Sequence, residues 1–244
     1  MIRKVLGPPG TGKTTTLLNY VKNYLDQGIA PSRIGYFAFT KKAASHAKEE
    51  MIKRYPDMKK SDLRYFQTLH SFAFHTLGLS EDRVMQPVHY EQIGEQLSIR
   101  VVFDSNKEEN FYLNCDNEYF KLITKAQVKN ISVMDEFNSN QWSRKINKDI
   151  LLQINMQLEY FKKQNDLVDY TDMIKDFLKE ENSKKSPEFE AVFIDEAQDL
   201  SPVQWQMYDI LKGKSKDIYL AGDDDQAIFA WAGADVNRFI YEEA

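Results

Sequence analysis

A short strand pattern at the start of the sequence runs directly into a glycine-rich loop, and this junction restricts the fold more than any other feature. Residues 7–14 read Gly-Pro-Pro-Gly-Thr-Gly-Lys-Thr and match the spacing G-x-x-x-x-G-K-[ST] of a phosphate-binding loop in full. A strand pattern precedes the loop at residues 2–6, and a helical pattern follows it at residues 15–25. This order predicts a nucleoside triphosphate site at the helix N-terminus. Taken alone, the loop leaves a Gly/Pro-rich turn without a ligand as the alternative.

The chemistry of such a loop assigns roles to its residues. Glycines let the backbone turn tightly and point successive N–H groups at phosphate oxygens. Lys13 is predicted to reach the β- and γ-phosphates, and the Thr14 hydroxyl is predicted to hold Mg²⁺. The predicted nucleotide-binding residues of the loop are Gly7, Pro8, Pro9, Gly10, Thr11, Gly12, Lys13, Thr14 and Thr15.

Composition limits the class of protein. The 244 residues suffice for one or two domains, and 28% charged with 42% apolar residues is typical of a soluble globular protein. The single cysteine, Cys115, cannot form an internal disulfide, no signal peptide precedes the loop, and no apolar run approaches the ~20 residues of a membrane span. We therefore expect a cytoplasmic protein with no membrane partner, and nothing indicates an oligomer. A net charge of −5 does not exclude a local basic groove for nucleic acid.

Strand and helix patterns alternate in two parts of the chain and are interrupted between them. Residues 80–166 lack strong strand signals and are predicted to be mostly helical, most clearly at 150–161, whereas 180–185 are predicted to be a polar loop. The predicted strands are 2–6, 34–39, 65–68, 191–194 and 218–221, and the other predicted helices are 15–25, 43–54, 70–77 and 203–211. This alternation predicts an α/β fold, a P-loop NTPase with a parallel sheet and helices on both faces. Its core domain would comprise residues 1–79 and 167–244, with 80–166 as a helical insertion.

A second nucleotide signal lies at residues 191–196, Ala-Val-Phe-Ile-Asp-Glu. Here an apolar strand ends in two carboxylates. Asp195 is predicted to hold Mg²⁺ opposite Thr14, and Glu196 is predicted to act as the general base toward the attacking water. The alternative is a strand end with two solvated acids, and the presence of the phosphate-binding loop favours the nucleotide site.

Two segments near the end of the chain resemble a known family. Residues 195–199, Asp-Glu-Ala-Gln-Asp, and residues 222–234, Gly-Asp-Asp-Asp-Gln-Ala-Ile-Phe-Ala-Trp-Ala-Gly-Ala, resemble motifs II and III of the superfamily 1 DNA helicases, the UvrD/Rep/PcrA-like group. The resemblance implies a RecA-like core in which Gln226 contacts the γ-phosphate and Trp231 stacks on a base of single-stranded DNA. Stacking of this kind is worth ~1–3 kcal/mol per base and tolerates any sequence. Without the motif around it, Trp231 would be interpreted as a core residue.

Three further segments agree with the resemblance. Residues 38–44, Ala-Phe-Thr-Lys-Lys-Ala-Ala, resemble motif Ia, which implies DNA contacts by Phe39, Thr40 and Lys41, although the family usually has Asn in place of Lys41. Residues 68–72, Thr-Leu-His-Ser-Phe, resemble the next DNA-contacting motif, which implies contacts by Thr68 and His70. A capping or core role for His70 remains the alternative.

Residues 169–174, Asp-Tyr-Thr-Asp-Met-Ile, resemble the segment at which the family's chain re-enters the core. A helix start capped by Asp169 or Thr171 explains this segment without any further function.

The resemblance implies an ATP-dependent DNA helicase that uses Mg²⁺ and moves 3′-to-5′ along single-stranded DNA, with Lys13, Glu196 and Gln226 as catalytic residues. In the family, a segment before the phosphate-binding loop grips adenine, and a second RecA-like domain supplies catalytic arginines. We expect neither within these 244 residues, and thus the N-terminal portion of a helicase with weak activity alone. The alternatives are an AAA+ remodelling ATPase, which shares the loop, and a nucleotide- or DNA-binding module without turnover.

Overall fold

A parallel β-sheet forms the centre of the protein. The structure is a computed structural model, and it describes residues 1–8, 10–103, 115–139, 146–223 and 233–243. The sheet has five strands in the order β1-β5-β4-β2-β3. They are β1 (Ile2–Leu6), β2 (Ile34–Phe37), β3 (Phe66–Gln67), β4 (Phe189–Ile194) and β5 (Ser215–Gly222). The predicted α/β fold is confirmed, and every predicted strand is present, most with shifted ends.

The register of the sheet brings distant parts of the chain together. β1 pairs in parallel with β5, so that Ile2 lies opposite Ile218 and Leu6 opposite Gly222. β4 lies between β5 and β2 and pairs in parallel with both. Because every pair is parallel, the carboxyl ends of all five strands lie along one edge of the sheet.

Helices cover both faces of the sheet, as the sequence predicts. Those described are α1 (Lys13–Asp26), α2 (Lys41–Arg54), α3 (Leu69–Leu77), α4 (Pro87–Gln96), α5 (Glu118–Lys129), α6 (Val133–Asn138), α7 (Lys148–Gln164), α8 (Tyr170–Leu178), α9 (Glu180–Ser183), α10 (Pro202–Gly213) and α11 (Val236–Tyr241). α1 and α2 pack on one face, and α3, α8, α10 and α11 pack on the other. Within the described ranges, none of the helices has the length and apolar character that crossing a membrane would require.

Alternating side chains of the strands fill these two cores. Val192 and Ile194 of β4 point to the α3/α8/α10 side, whereas Ala191 and Phe193 point to the α1/α2 side. Phe193 stacks on Tyr219 of β5, with 4.6 Å between the ring centroids. Full burial of side chains of this kind stabilises the fold by about 1.5–3 kcal/mol each.

The segment between α3 and α8 has a hydrophobic core of its own, formed mainly by α4, α5 and α7. In α7, Leu151, Ile154 and Leu158 are buried, as their helical spacing predicts, whereas Ile150 is 40% exposed. The insertion is thus mostly helical over its described residues. Its boundaries at residues 80 and 166 stay a prediction.

The predicted polar loop at residues 180–185 is wrong, because residues 180–183 form the short helix α9. The N–H groups of Asn182 and Ser183 donate to the carbonyl oxygen of Lys179 at 2.9 Å. The Asn182 side chain also donates to the carbonyl oxygen of Asp176 at 2.9 Å, which ties the turn to the end of α8. Local hydrogen bonds thus make a helical turn from residues whose composition favours a loop.

A buried charged cluster joins the insertion to α8. Lys162 of α7, 4% exposed, lies 2.9 Å from Asp169 and 2.8 Å from Asp172. Asp169 caps α8 by accepting from the Asp172 N–H at 2.8 Å, and Asp172 accepts in return from the Asp169 N–H at 3.0 Å. Gln127 of α5 donates to Asp169 at 3.3 Å. Asp169 is therefore the cap at this helix start.

Candidate nucleotide and nucleic-acid site

The predicted site residues follow the strand ends at the carboxyl edge of the sheet. β1 leads into the phosphate-binding loop, β4 leads into Asp195 and Glu196, and β5 leads into Asp223. β2 and β3 lead into Thr40 and Thr68, the predicted DNA contacts. In open parallel sheets this edge is where ligands bind.

The phosphate-binding loop has the backbone that its glycines predict. Gly10 has φ +77° and Gly12 has φ +84°, a left-handed conformation that glycine adopts without steric cost. Gly12 precedes the first turn of α1. The loop is tightened by Thr11, whose N–H and hydroxyl both donate to the carbonyl oxygen of Pro8, at 3.3 and 2.7 Å. Pro9 lies outside the described residues.

Lys13 points into the curve of this loop. Its ammonium group donates to the carbonyl oxygens of Gly7 and Pro8 at 2.7 and 3.4 Å, and the residue is 8% exposed. The cation is thus held beside the backbone that the phosphate groups would approach. A bound anion would compete with these carbonyl oxygens for its N–H groups.

Thr14 and Asp195 meet across the site, although they are 181 residues apart in the sequence. The Thr14 hydroxyl donates to Asp195 Oδ2 at 2.9 Å, and the Tyr36 hydroxyl donates to the same oxygen at 2.8 Å. Burial and the charge of Asp195 raise the pKa of Tyr36 well above its ordinary value, so Tyr36 keeps its proton as a donor. Tyr36 could not be expected at the site from the sequence, since a tyrosine in a buried strand indicates only a core residue.

This arrangement fits Mg²⁺ bound together with a phosphate chain. Mg²⁺ prefers oxygen ligands and is commonly held by one or two carboxylates plus substrate phosphates and water. Thr14 supplies one hydroxyl and Asp195 supplies one carboxylate. Within the described residues, no group of three or more His, Cys, Asp or Glu side chains could hold a metal by itself.

Glu196 follows Asp195 with a left-handed backbone, at φ +54°, which is uncommon for a residue with a side chain. Its carboxylate accepts a hydrogen bond from Gln198 Nε2 at 2.9 Å. The other side-chain atom of that amide, Gln198 Oε1, accepts from the Asp223 N–H at 3.2 Å. The sequence indicates Gln198 only as part of a motif, whereas in the structure its side chain lies between the predicted base and the end of β5.

Asp199 is a second acid beside Glu196. Its Oδ2 lies 3.4 Å from Gln198 Nε2, and its buried Oδ1 has no hydrogen-bond partner among the described residues. Burial, together with the charge of Glu196, raises the pKa of Asp199 to about 7. Near neutral pH, a fraction of the molecules therefore carry a protonated, uncharged Asp199 at this site.

Asp199→Asn should change how stability depends on pH. The folded state binds a proton at Asp199 more tightly than the ordinary pKa of 3.8 allows. The free energy of unfolding should therefore fall as pH rises from about 4 to about 7. The Asn variant should lose this decline and be the more stable protein at pH 8. Urea unfolding at pH 5, 6, 7 and 8 measures the free energy of unfolding, and Asp57→Asn, at an exposed position, is the control. If the free energy of unfolding changes with pH equally in the wild type and in Asp199→Asn, the prediction is wrong.

The two predicted DNA-contacting threonines cap helices. Thr40 Oγ1 accepts from the Ala43 N–H at the start of α2, and Thr68 Oγ1 accepts from the Ser71 N–H at the start of α3, both at 3.1 Å. β2 and β3 are paired, with Phe37 opposite Gln67, so these helix starts are neighbours. Phe39 and the exposed Lys41 flank Thr40. The structure thus brings the predicted contacts together while giving both threonines a structural role.

His70 lies in the first turn of α3, with its ring 5.5 Å from the ring of Tyr170 and edge-on to it. Burial lowers its pKa to about 4; Asp169 raises it slightly, and Lys41 lowers it. At neutral pH the ring is uncharged, so it can donate an N–H to a phosphate but adds no positive charge. The core role that the sequence left open is consistent with this packing.

Gln226 and Trp231 lie outside the described residues. The chain on either side is anchored close to the site. Asp223 binds Gln198 on one side, and on the other the Asp235 N–H donates to the carbonyl oxygen of Leu200 at 2.9 Å. The contacts of Gln226 with phosphate and of Trp231 with DNA stay predictions.

Comparisons with known proteins agree on one family. The family model for the UvrD/REP helicase N-terminal domain matches residues 2–243. The chain is 30% identical to a probable DNA helicase of Mycoplasma pneumoniae, over 98% of this chain and 46% of that protein. It is 23% identical to the ATP-dependent DNA helicase PcrA of Staphylococcus aureus, over 97% of this chain and 33% of that protein. The chain thus spans a third to about half of the length of these relatives.

Proposed function

Because this chain belongs to the UvrD/Rep helicase family, we propose that it forms the ATP-binding N-terminal core of an ATP-dependent DNA helicase. The observation that carries the proposal is the 2.9 Å hydrogen bond from Thr14 to Asp195. It joins the phosphate-binding loop to the acidic strand end, the two elements that share Mg²⁺ in P-loop NTPases. Family membership favours this function over an AAA+ remodelling ATPase.

In this proposal, ATP lies with its phosphates along residues 7–15, against the ammonium group of Lys13. Thr14 and Asp195 hold Mg²⁺, which when bound neutralises charge on the phosphates. Glu196 takes the proton of the attacking water, and Gln226 senses the γ-phosphate. The preformed loop, with Gly10 and Gly12 already left-handed, supports the assignment, because a backbone that is already oriented needs little reorganisation on binding.

The proposed DNA path crosses the ends of β2 and β3. Phe39, Thr40, Lys41, Thr68 and His70 lie there, and Trp231 would stack on a base. Movement in the 3′-to-5′ direction would need a second RecA-like domain that closes on the ATP site. Residues 1–79 and 167–244 would form the first such domain, and residues 80–166 would form an inserted subdomain. The protein would be located in the cytoplasm.

ATP turnover with and without single-stranded DNA tests this function. We expect DNA to accelerate turnover in the wild-type chain, since base stacking and hydrolysis would be coupled through residues 223–233. Trp231→Ala should weaken single-stranded DNA binding by about tenfold, in line with ~1–3 kcal/mol per stacked base, and should leave nucleotide affinity unchanged. Fluorescence anisotropy with a labelled oligonucleotide measures the first effect and a fluorescent nucleotide the second.

Three outcomes separate the possible functions. Failure to bind ATP or single-stranded DNA would contradict the proposed function. A slow turnover that DNA does not change would indicate an incomplete helicase core, which lacks the second RecA-like domain. Unchanged DNA affinity in Trp231→Ala would remove Trp231 from the DNA path.

A further inference from the structure

The side-chain amide of Gln198 lies beside Glu196, and the proposed mechanism gives it no role. The residue is 4% exposed and follows Glu196 by two positions, in a single 3₁₀ turn, Ala197–Asp199, after β4. Its two polar atoms face different strand ends. Nε2 donates to Glu196 Oε2 at 2.9 Å, and Oε1 accepts from the Asp223 N–H at 3.2 Å.

We infer that Gln198 is a positioning residue, which fixes the carboxylate of Glu196 and couples it to the end of β5. The inference rests on the proposed function, in which Glu196 takes a proton from water during ATP hydrolysis. The segment that Gln198 reaches through Asp223 continues into Gln226 and Trp231. A change in the Asp223 backbone would therefore move the amide, and with it the base.

The surroundings of Gln198 are built for this contact. Gly222, the last residue of β5, lies so close that an added Cβ would be 2.7 Å from Gln198 Oε1 and 2.6 Å from the Phe239 ring. A side chain there would push the amide away, and only glycine leaves the space. Glu196 itself has a left-handed backbone, at φ +54°, which is uncommon for a residue with a side chain, and its carboxylate accepts from Gln198.

The charges around the amide argue for a role beyond packing. Gln198 Nε2 lies between two carboxylates, at 2.9 Å from Glu196 and 3.4 Å from Asp199. A neutral donor between two acids holds both without taking the proton that a base must accept. A lysine would neutralise Glu196 and make it a weaker base, whereas an aliphatic side chain would leave the carboxylate unheld.

Gln198→Leu removes both hydrogen bonds at nearly constant volume. We expect single-turnover ATP hydrolysis to slow by about 10- to 100-fold, as small displacements of a catalytic group do, with nucleotide affinity unchanged. The Asp223 amide should also exchange its hydrogen faster, measured by NMR or by mass spectrometry of short peptides. Loss of rate without loss of affinity separates positioning from general destabilisation.

Two further variants make the experiment specific. Gln198→Glu at pH 8 keeps an oxygen for the Asp223 N–H but turns a carboxylate toward Glu196, so we expect slow hydrolysis with a protected Asp223 amide. Gln204→Leu is the matched control: Gln204 is also buried, 7% exposed, and its side chain accepts from the Ser201 N–H at 2.9 Å, away from Glu196. It should lose stability but keep the hydrolysis rate.

The outcomes distinguish the inference from the function on which it rests. If the wild-type chain hydrolyses ATP and Gln198→Leu does so at the same rate, the inference is wrong and the proposed function stands. An unchanged exchange rate at Asp223 in Gln198→Leu would also overturn it. If the wild-type chain binds neither ATP nor single-stranded DNA, the proposed function fails and the inference fails with it.

Discussion

Lys13→Ala is expected to weaken nucleotide binding by about 100-fold, in keeping with the ~1.5–3 kcal/mol of a hydrogen bond to a charged group. Lys13 is the buried cation inside the phosphate-binding loop, where it now donates to the Gly7 and Pro8 carbonyl oxygens. The variant would leave the phosphate charge without this partner. Titration with a fluorescent ATP analogue in the presence of Mg²⁺ measures the change.

The matched control lies on the same helix. Lys22 of α1 forms an exposed ion pair with Asp26 one turn later, and Lys22→Ala should leave nucleotide affinity unaltered. Thermal unfolding of both variants shows whether the loop still folds. Equal nucleotide affinities of Lys13→Ala and the wild type would show that the loop does not bind phosphate, and would contradict the proposed function.

Lys162→Met is expected to lower the free energy of unfolding by about 3–5 kcal/mol, the usual effect of removing one partner from a buried ion pair. Burial opposes the charge of Lys162, but Asp169 and Asp172 outweigh it and raise the pKa of the lysine. Without Lys162, the buried Asp169 carboxylate would lose its cation and would face the partly buried Asp172 carboxylate at the junction of α7 and α8. Urea unfolding at pH 8 measures the loss.

The effect of Lys162→Met should depend on pH. Burial and the charge of Asp169 already raise the pKa of Asp172 to about 6, so protonation there favours the folded state and that contribution is lost as pH rises through about 6. Without the lysine, proton uptake should relieve the repulsion, and the deficit should be smaller at pH 5 than at pH 8. Lys121→Met, which breaks a partly exposed pair with Glu118, should cost below about 0.5 kcal/mol at either pH. A deficit equally small for Lys162→Met would show that the cluster adds little stability.

The fold could be predicted from the sequence where a pattern of side chains is compatible with only one kind of secondary structure. The apolar run of β4 ends in two acids, and the spacing of Leu17, Leu18 and Val21 is typical of a buried helix face. The turn between β1 and α1 could be predicted because a tightly curved loop needs glycines, and the sequence has them there. The meeting of Thr14 with Asp195 could be expected once both were assigned to the carboxyl ends of parallel strands.

The remaining parts of the site depend on contacts between distant segments, for which the sequence carries no pattern. Tyr36 bonds Asp195 only because β2 lies beside β4, and Gln198 reaches Asp223 only because β5 lies on the other side of β4. Lys162 belongs, by its charge, to the solvent face of a helix, yet Asp169 and Asp172 draw it into the interior. The short helix α9 was missed because hydrogen bonds to Lys179 and Asp176 stabilise it against its composition.

The pairing of β1 with β5 has a consequence for how the protein is made. β1 is synthesised before the other strands of the sheet, but Ile2 and Leu6 find their partners only at Ile218 and Gly222, after more than two hundred further residues have been synthesised. Non-local parallel pairing of this kind is slow to form. During translation the phosphate-binding loop would therefore remain unanchored, and a nascent chain that ends before β5 should not retain nucleotide. The loop would become functional only after the last strand of the sheet has been made.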